Sequence, residues 1–64
     1  MFYLLKVRND RNGAMRTILS GQEYYEILDY IKRHGEVGKT YYIFNRDYKI
    51  IKKLKRNENE VIVL

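Results

Sequence analysis

The sequence predicts an α+β fold in two layers, a mostly antiparallel sheet covered on one face by a single helix, and three stretches predict it. Tyr24, Ile27, Leu28 and Ile31 recur at i, i+3, i+4 and i+7 inside an otherwise polar segment, which makes residues 21–34 an amphipathic helix. Thr40-Tyr41-Tyr42-Ile43-Phe44 is an unbroken β-branched and aromatic run, the composition of a central strand. Asn12-Gly13 is the strongest short hairpin signal, and it lies between two further strand-like runs. The element order is ββαβ(α or β)β in a single domain, giving a sheet of four strands or five.

From the N-terminus, Tyr3, Leu5 and Val7 alternate with Lys6 and Arg8, as a half-buried strand requires. A two-residue Asn12-Gly13 loop sets Arg11 against Ala14, Asp10 against Met15 and Val7 against Ile18, with Arg8, Arg11 and Arg16 near the tip. Ser20 and Glu23 have the spacing of a capping box, and Leu19 with Tyr24 that of a hydrophobic staple. Asp29 and Arg33 are an i,i+4 ion pair in the favourable order, and Gly35 is the expected left-handed helix stop. Residues 46–56 admit two readings. Asn45 as a cap, Asp47 near the start and Lys52, Lys53, Lys55 and Arg56 near the end favour a helix. The adjacent Ile50-Ile51 pair favours a strand returning from a turn at Asn45–Asp47. The balance leans to helix. Glu60–Leu64 reads as a last strand, expected to be paired inside the sheet because its apolar residues would make a sticky edge.

Composition bounds the chemistry. A chain of 64 residues is near the size at which one core suffices. It has no cysteine and one histidine, so neither disulfides nor a zinc site can reinforce it, and no cofactor is expected. No signal-peptide pattern or ~20-residue apolar span is present, so a cytoplasmic protein without membrane contact is expected. Heavy use of Ile, Lys, Asn and Tyr marks an AT-rich coding bias, which would suit a phage, plasmid or virus accessory protein. Nothing resembles a catalytic constellation. Ser20 is the sole serine, His34 has no second histidine or cysteine to work with, and no phosphate-cradling glycine motif occurs. A binding protein, not an enzyme, is expected.

The net charge of +5 is segregated. Residues 21–38 carry Lys32 and Arg33 against Glu23, Glu26, Asp29 and Glu36, while residues 39–56 carry seven cations against Asp47 alone. A basic stripe of Lys49, Lys52, Lys53, Lys55 and Arg56 beside a tyrosine-rich strand suits nucleic acid: the cations meet phosphates and Tyr41 or Tyr42 meets bases. Arg8, Arg11 and Arg16 would add to it. The competing expectation is a protein-binding regulator or inhibitor, docking through Tyr25, Tyr30 and a sheet edge. The apolar sheet face that the helix leaves over would also call for a symmetric partner, so a homodimer is expected.

Overall fold

The computed structural model describes residues 2–9 and 11–64. Strands β1 (Tyr3–Arg8) and β2 (Met15–Gln22) precede helix α1 (Tyr24–His34), and β3 (Thr40–Phe44), β4 (Ile50–Arg56) and β5 (Val61–Val63) follow it. The five strands form one antiparallel sheet in the order β2-β1-β3-β4-β5. The run Thr40–Phe44 is therefore the central strand, as its composition predicts.

The helix buries the stripe that its periodicity marks. Ile27 and Ile31 are fully buried against Leu5, Ile43 and Leu54, and Tyr24 and Leu28 pack at the margin. Tyr3 meets Tyr24 edge-to-face with ring centroids 5.9 Å apart. On the outer side Arg33 Nε donates to Asp29 Oδ1 at 3.1 Å, the expected i,i+4 pair.

The helix begins three residues later than the Ser20 cap predicts. Ser20 lies in β2 opposite Leu4, and the strand continues through a bulge at Gly21 (φ +80°) to pair Gln22 with Tyr3. Glu23 is the cap instead, with its amide donating to Glu26 Oε1 at 3.2 Å, the return half of a capping box one position pair further on. The ladder to β1 satisfies more backbone groups than an early helical turn would, and Glu-x-x-Glu supplies the capping chemistry that Ser-x-x-Glu advertised. Ser20→Ala is thus expected to change unfolding free energy by less than about 0.5 kcal/mol, the range of an exposed site. A true cap would lose about 1 kcal/mol. Urea denaturation distinguishes the two.

The other helix end also differs in detail. Gly35 has extended backbone (φ −67°), not left-handed, and its amide donates to Ile31 O at 2.8 Å. Glycine is required there for a different reason, since a Cβ would run into the Ile31 carbonyl oxygen.

Two turns depart from the simplest sequence reading. In the first hairpin Asn9 N donates to Ala14 O, so the loop is longer than two residues, and Val7 faces Arg16, not Ile18. The side chains of Asn9 and Asn12 each accept the amide two residues on (Arg11 and Ala14, both 2.9 Å), and these local turns lengthen the connection. The predicted Asp10–Met15 pair lies outside the described residues. Because the register moves by two, Val7 keeps its place on the helix face. A bulge between the Leu5 and Lys6 pairings turns both Ile18 and Leu19 toward the core.

The second turn settles residues 46–56 as strand, against the lean to helix. Asn45 Oδ1 accepts the amides of Asp47 (2.9 Å) and Lys49 (3.0 Å), so the cap-like asparagine closes a turn instead of opening a helix. Tyr48 completes it in the left-handed region at φ +60°. Sheet pairing on both sides, with β3 and β5, outweighs the weak charge preference for helix. β5 is itself an edge strand, paired only with β4, contrary to the interior position expected for it.

Candidate nucleic-acid interface

Strand geometry sorts the basic residues by face, because successive side chains point to opposite sides. Leu54 is buried under the helix, so Lys52 and Arg56 share its side while Lys53 and Lys55 point away. Lys6 and Arg8 of β1 also point away, Lys6 opposite Tyr42 in β3. Among the described residues no strand contains an Asp or Glu. The sheet face without the helix therefore has Lys6, Arg8, Lys53 and Lys55 and no strand carboxylate to oppose them.

Two aromatic rings lie beneath these cations. Lys6 Nζ sits 5.1 Å from the Phe44 ring centroid and Lys53 Nζ 5.9 Å from that of Tyr42. Tyr42 and Phe44 are only 5% and 9% exposed, although the helix lies on the other side. Lys6 and Lys53 lie over these rings, and Leu4 and Ile50 flank Phe44 on the neighbouring strands. A cover of this type is weakly held: an exposed cation–π contact contributes about 0.5–1 kcal/mol. Base–aromatic stacking contributes about 1–3 kcal/mol per base.

The second sheet face, expected to call for a symmetric partner, has Lys6 and Lys53 over two buried rings. Ile50, opposite Phe44, and Ile51 remain exposed at its β4 end.

Several residues expected to bind nucleic acid are elsewhere. Arg56 is a structural tie: Nε donates to Ile31 O and Nη2 to Lys32 O, both at 3.2 Å, and Nη1 to Glu60 O at 3.5 Å. It satisfies the carbonyls at the helix C-terminus, where a cation also complements the helix dipole. Arg56→Ala is expected to lower stability by about 1–3 kcal/mol. Arg56→Lys restores only part of this, since an ammonium cannot span the guanidinium fork. Thermal melts of the two variants check the assignment.

Arg16 faces the helix side, in a small cavity lined also by Val7, Tyr30, His34, Glu36 and Tyr41. Arg8, by contrast, lies on the open face with its guanidinium near Gly13 in the hairpin loop. The tip arginines do not converge. Lys49 sits in the β3–β4 turn, Lys52 faces the helix side, and Arg11 is on the exposed first loop. Tyr41, offered with Tyr42 as a stacking ring, is buried in the core, and its hydroxyl accepts the Glu36 amide at 2.8 Å. Phe44 and Lys6 are not among the residues that the sequence marks as contacts. The signal for both was strand alternation, which puts Lys6 and Phe44 on the side opposite Leu5 and Ile43.

Tyr25 and Tyr30, the expected protein contacts, line one open groove with Leu19, Gln22 and the helix residues Glu26, Asp29, Arg33 and His34. Tyr25 is 72% exposed, whereas Tyr30 packs partly against the core beside His34. Among the described residues no three His, Cys, Asp or Glu side chains gather as metal ligands would. Among them, too, no helix is long and apolar enough to cross a membrane.

These features define a small α+β domain with its helix on one sheet face and cations over aromatic rings on the other. No protein-family model, curated protein or solved structure matches the chain.

Proposed function

We propose that this is a non-enzymatic nucleic-acid-binding protein that takes its ligand on the open face of the sheet. The observation that carries the reading is the pairing of Lys6 with Phe44 and Lys53 with Tyr42 on a face whose strands have no carboxylate. Phosphates need several cations on one surface, and Lys6, Arg8, Lys53 and Lys55 supply them. Among the described residues the carboxylates lie in the helix and the connections and none in a strand, which supports a basic sheet face despite the modest net charge.

Titration of a labelled oligonucleotide at several salt concentrations tests this. Three to four phosphate contacts give log K falling against log salt with a slope of about −2 to −3.5, at −0.7 to −0.9 per contact. Affinity weaker than about 10⁻⁴ M at low salt would overturn the reading, because non-specific binders usually reach that at physiological salt.

One observation supports a second reading, a protein-binding regulator. The groove beside Tyr25 runs between the outer side of α1 and the edge strand β2, a setting in which an extended peptide can pair with the edge. That reading expects capture of a protein that is insensitive to salt and lost on Tyr25→Ala.

A further inference from the structure

Resting on the nucleic-acid reading, we infer that the ligand is single-stranded, with bases seated on Phe44 and Tyr42 and a further base in the cleft formed by Phe2, Tyr48 and Arg46 at the end of the same face. Three observations lead there.

The fold presents no element suited to a duplex groove on its basic side. Helix α1 is on the opposite face and its own charges cancel, Glu26 and Asp29 against Lys32 and Arg33. The basic face is a sheet five strands wide, roughly 20 Å at ~4.8 Å per strand. A major groove of ~12 Å admits a helix or a two-stranded ribbon, not such a sheet.

The spacing of the rings is the second observation. Tyr42 and Phe44 are two residues apart on one strand, hence roughly 7 Å apart. Successive nucleotides of a duplex strand rise ~3.4 Å. Neighbouring bases can therefore occupy both rings only after unstacking from each other, which a single strand does and a duplex does not.

The third observation is Tyr48. It is 74% exposed and held at φ +60°, backbone that an aromatic residue rarely adopts. Its ring lines a cleft of about 220 Å³ with the half-exposed Phe2 and with Arg46. Leu4 and Ser20 in its wall belong to the open face and Tyr3 to the helix face, so the cleft lies at the sheet end and borders the open face. Two aromatic side chains and a guanidinium suit a base and its phosphate. Asp47, on the same turn, opposes this, and Arg46 offsets its charge.

The experiment uses oligothymidine and oligouridine of about ten nucleotides, within the usual footprint of a small domain, and a duplex of the same length. Wild type, Tyr48→Gly, Phe44→Leu and Lys6→Gln/Lys53→Gln are each titrated at low salt and melted. Glycine suits φ +60°, so Tyr48→Gly removes the ring while keeping or raising the melting temperature. The expected results are tighter binding of either single strand than of the duplex, and a loss of single-strand affinity of about fivefold or more in Tyr48→Gly and Phe44→Leu. Duplex binding equal to or tighter than single-strand binding would overturn the inference. So would unchanged single-strand affinity in Tyr48→Gly. In both cases a weakened lysine variant leaves the basic-face reading standing. No binding of any oligonucleotide overturns both.

Discussion

Changing Lys6, Lys53 and Lys55 together to Glu is expected to abolish oligonucleotide binding while the protein stays folded. Each side chain lies on the open sheet face and none forms an ion pair among the described residues. At about 1 kcal/mol per lysine beside an anionic surface, three losses already amount to roughly 150-fold, and the new carboxylates add repulsion. The net charge moves from +5 to −1, since each substitution removes two charges. A control with the same charge change, Lys32, Arg33 and Lys52 to Glu, alters the helix and its side of the sheet. It is expected to retain most of the affinity, with a small loss from the general field. Equal losses in the two triple variants would mean that total charge, not the open face, governs binding.

The second large effect concerns the core. Ile43 is fully buried in the central strand, opposite Leu5, in the cluster that includes Ile27 and Ile31 of the helix. Ile43→Ala is expected to destabilise by about 2–5 kcal/mol, transfer and cavity terms together. A domain of this length has roughly 3–10 kcal/mol to lose, at 0.05–0.15 kcal/mol per residue. The melting temperature should fall by at least about 10 °C. Ile43→Val, with one methyl fewer, should cost about 0.5–1.5 kcal/mol. Circular dichroism melts of the pair measure both, and an Ala variant within a few degrees of wild type would mean that the helix does not pack on β3.

The α+β class, the helix stripe and the central strand were legible because each rests on a periodicity repeated over several residues. Tyr24, Ile27, Leu28 and Ile31 mark one face whatever the cap turns out to be. Boundaries were less legible because they depend on competition between neighbouring segments. Ser20 is a good cap in isolation, but the β1 ladder takes it, and that ladder is invisible until the bulge at Gly21 is known. Asn45 is ambiguous for the same reason, since one side-chain oxygen can close a turn or open a helix. The candidate site inherited that ambiguity. Read as a helix, residues 46–56 put Lys52, Lys53, Lys55 and Arg56 in one basic segment. As a strand they divide between two faces, Arg56 ties down the helix, and Lys53 joins Lys6 from a distant part of the chain. Alternation left Tyr41 and Tyr42 as alternatives for the face away from the helix, and the pairing of β1 with β3 is what puts Tyr42 there and Phe44 beneath Lys6.

The most direct test of the open-face account is an amide and side-chain NMR titration of the isotope-labelled protein with short oligothymidine. Shifts concentrated on Lys6, Arg8, Tyr42, Phe44, Lys53 and Lys55, with Tyr25, Asp29 and Arg33 on the outer helix unmoved, are the result expected. Shifts confined to the helix and its groove with β2, or none at millimolar oligonucleotide, would contradict it.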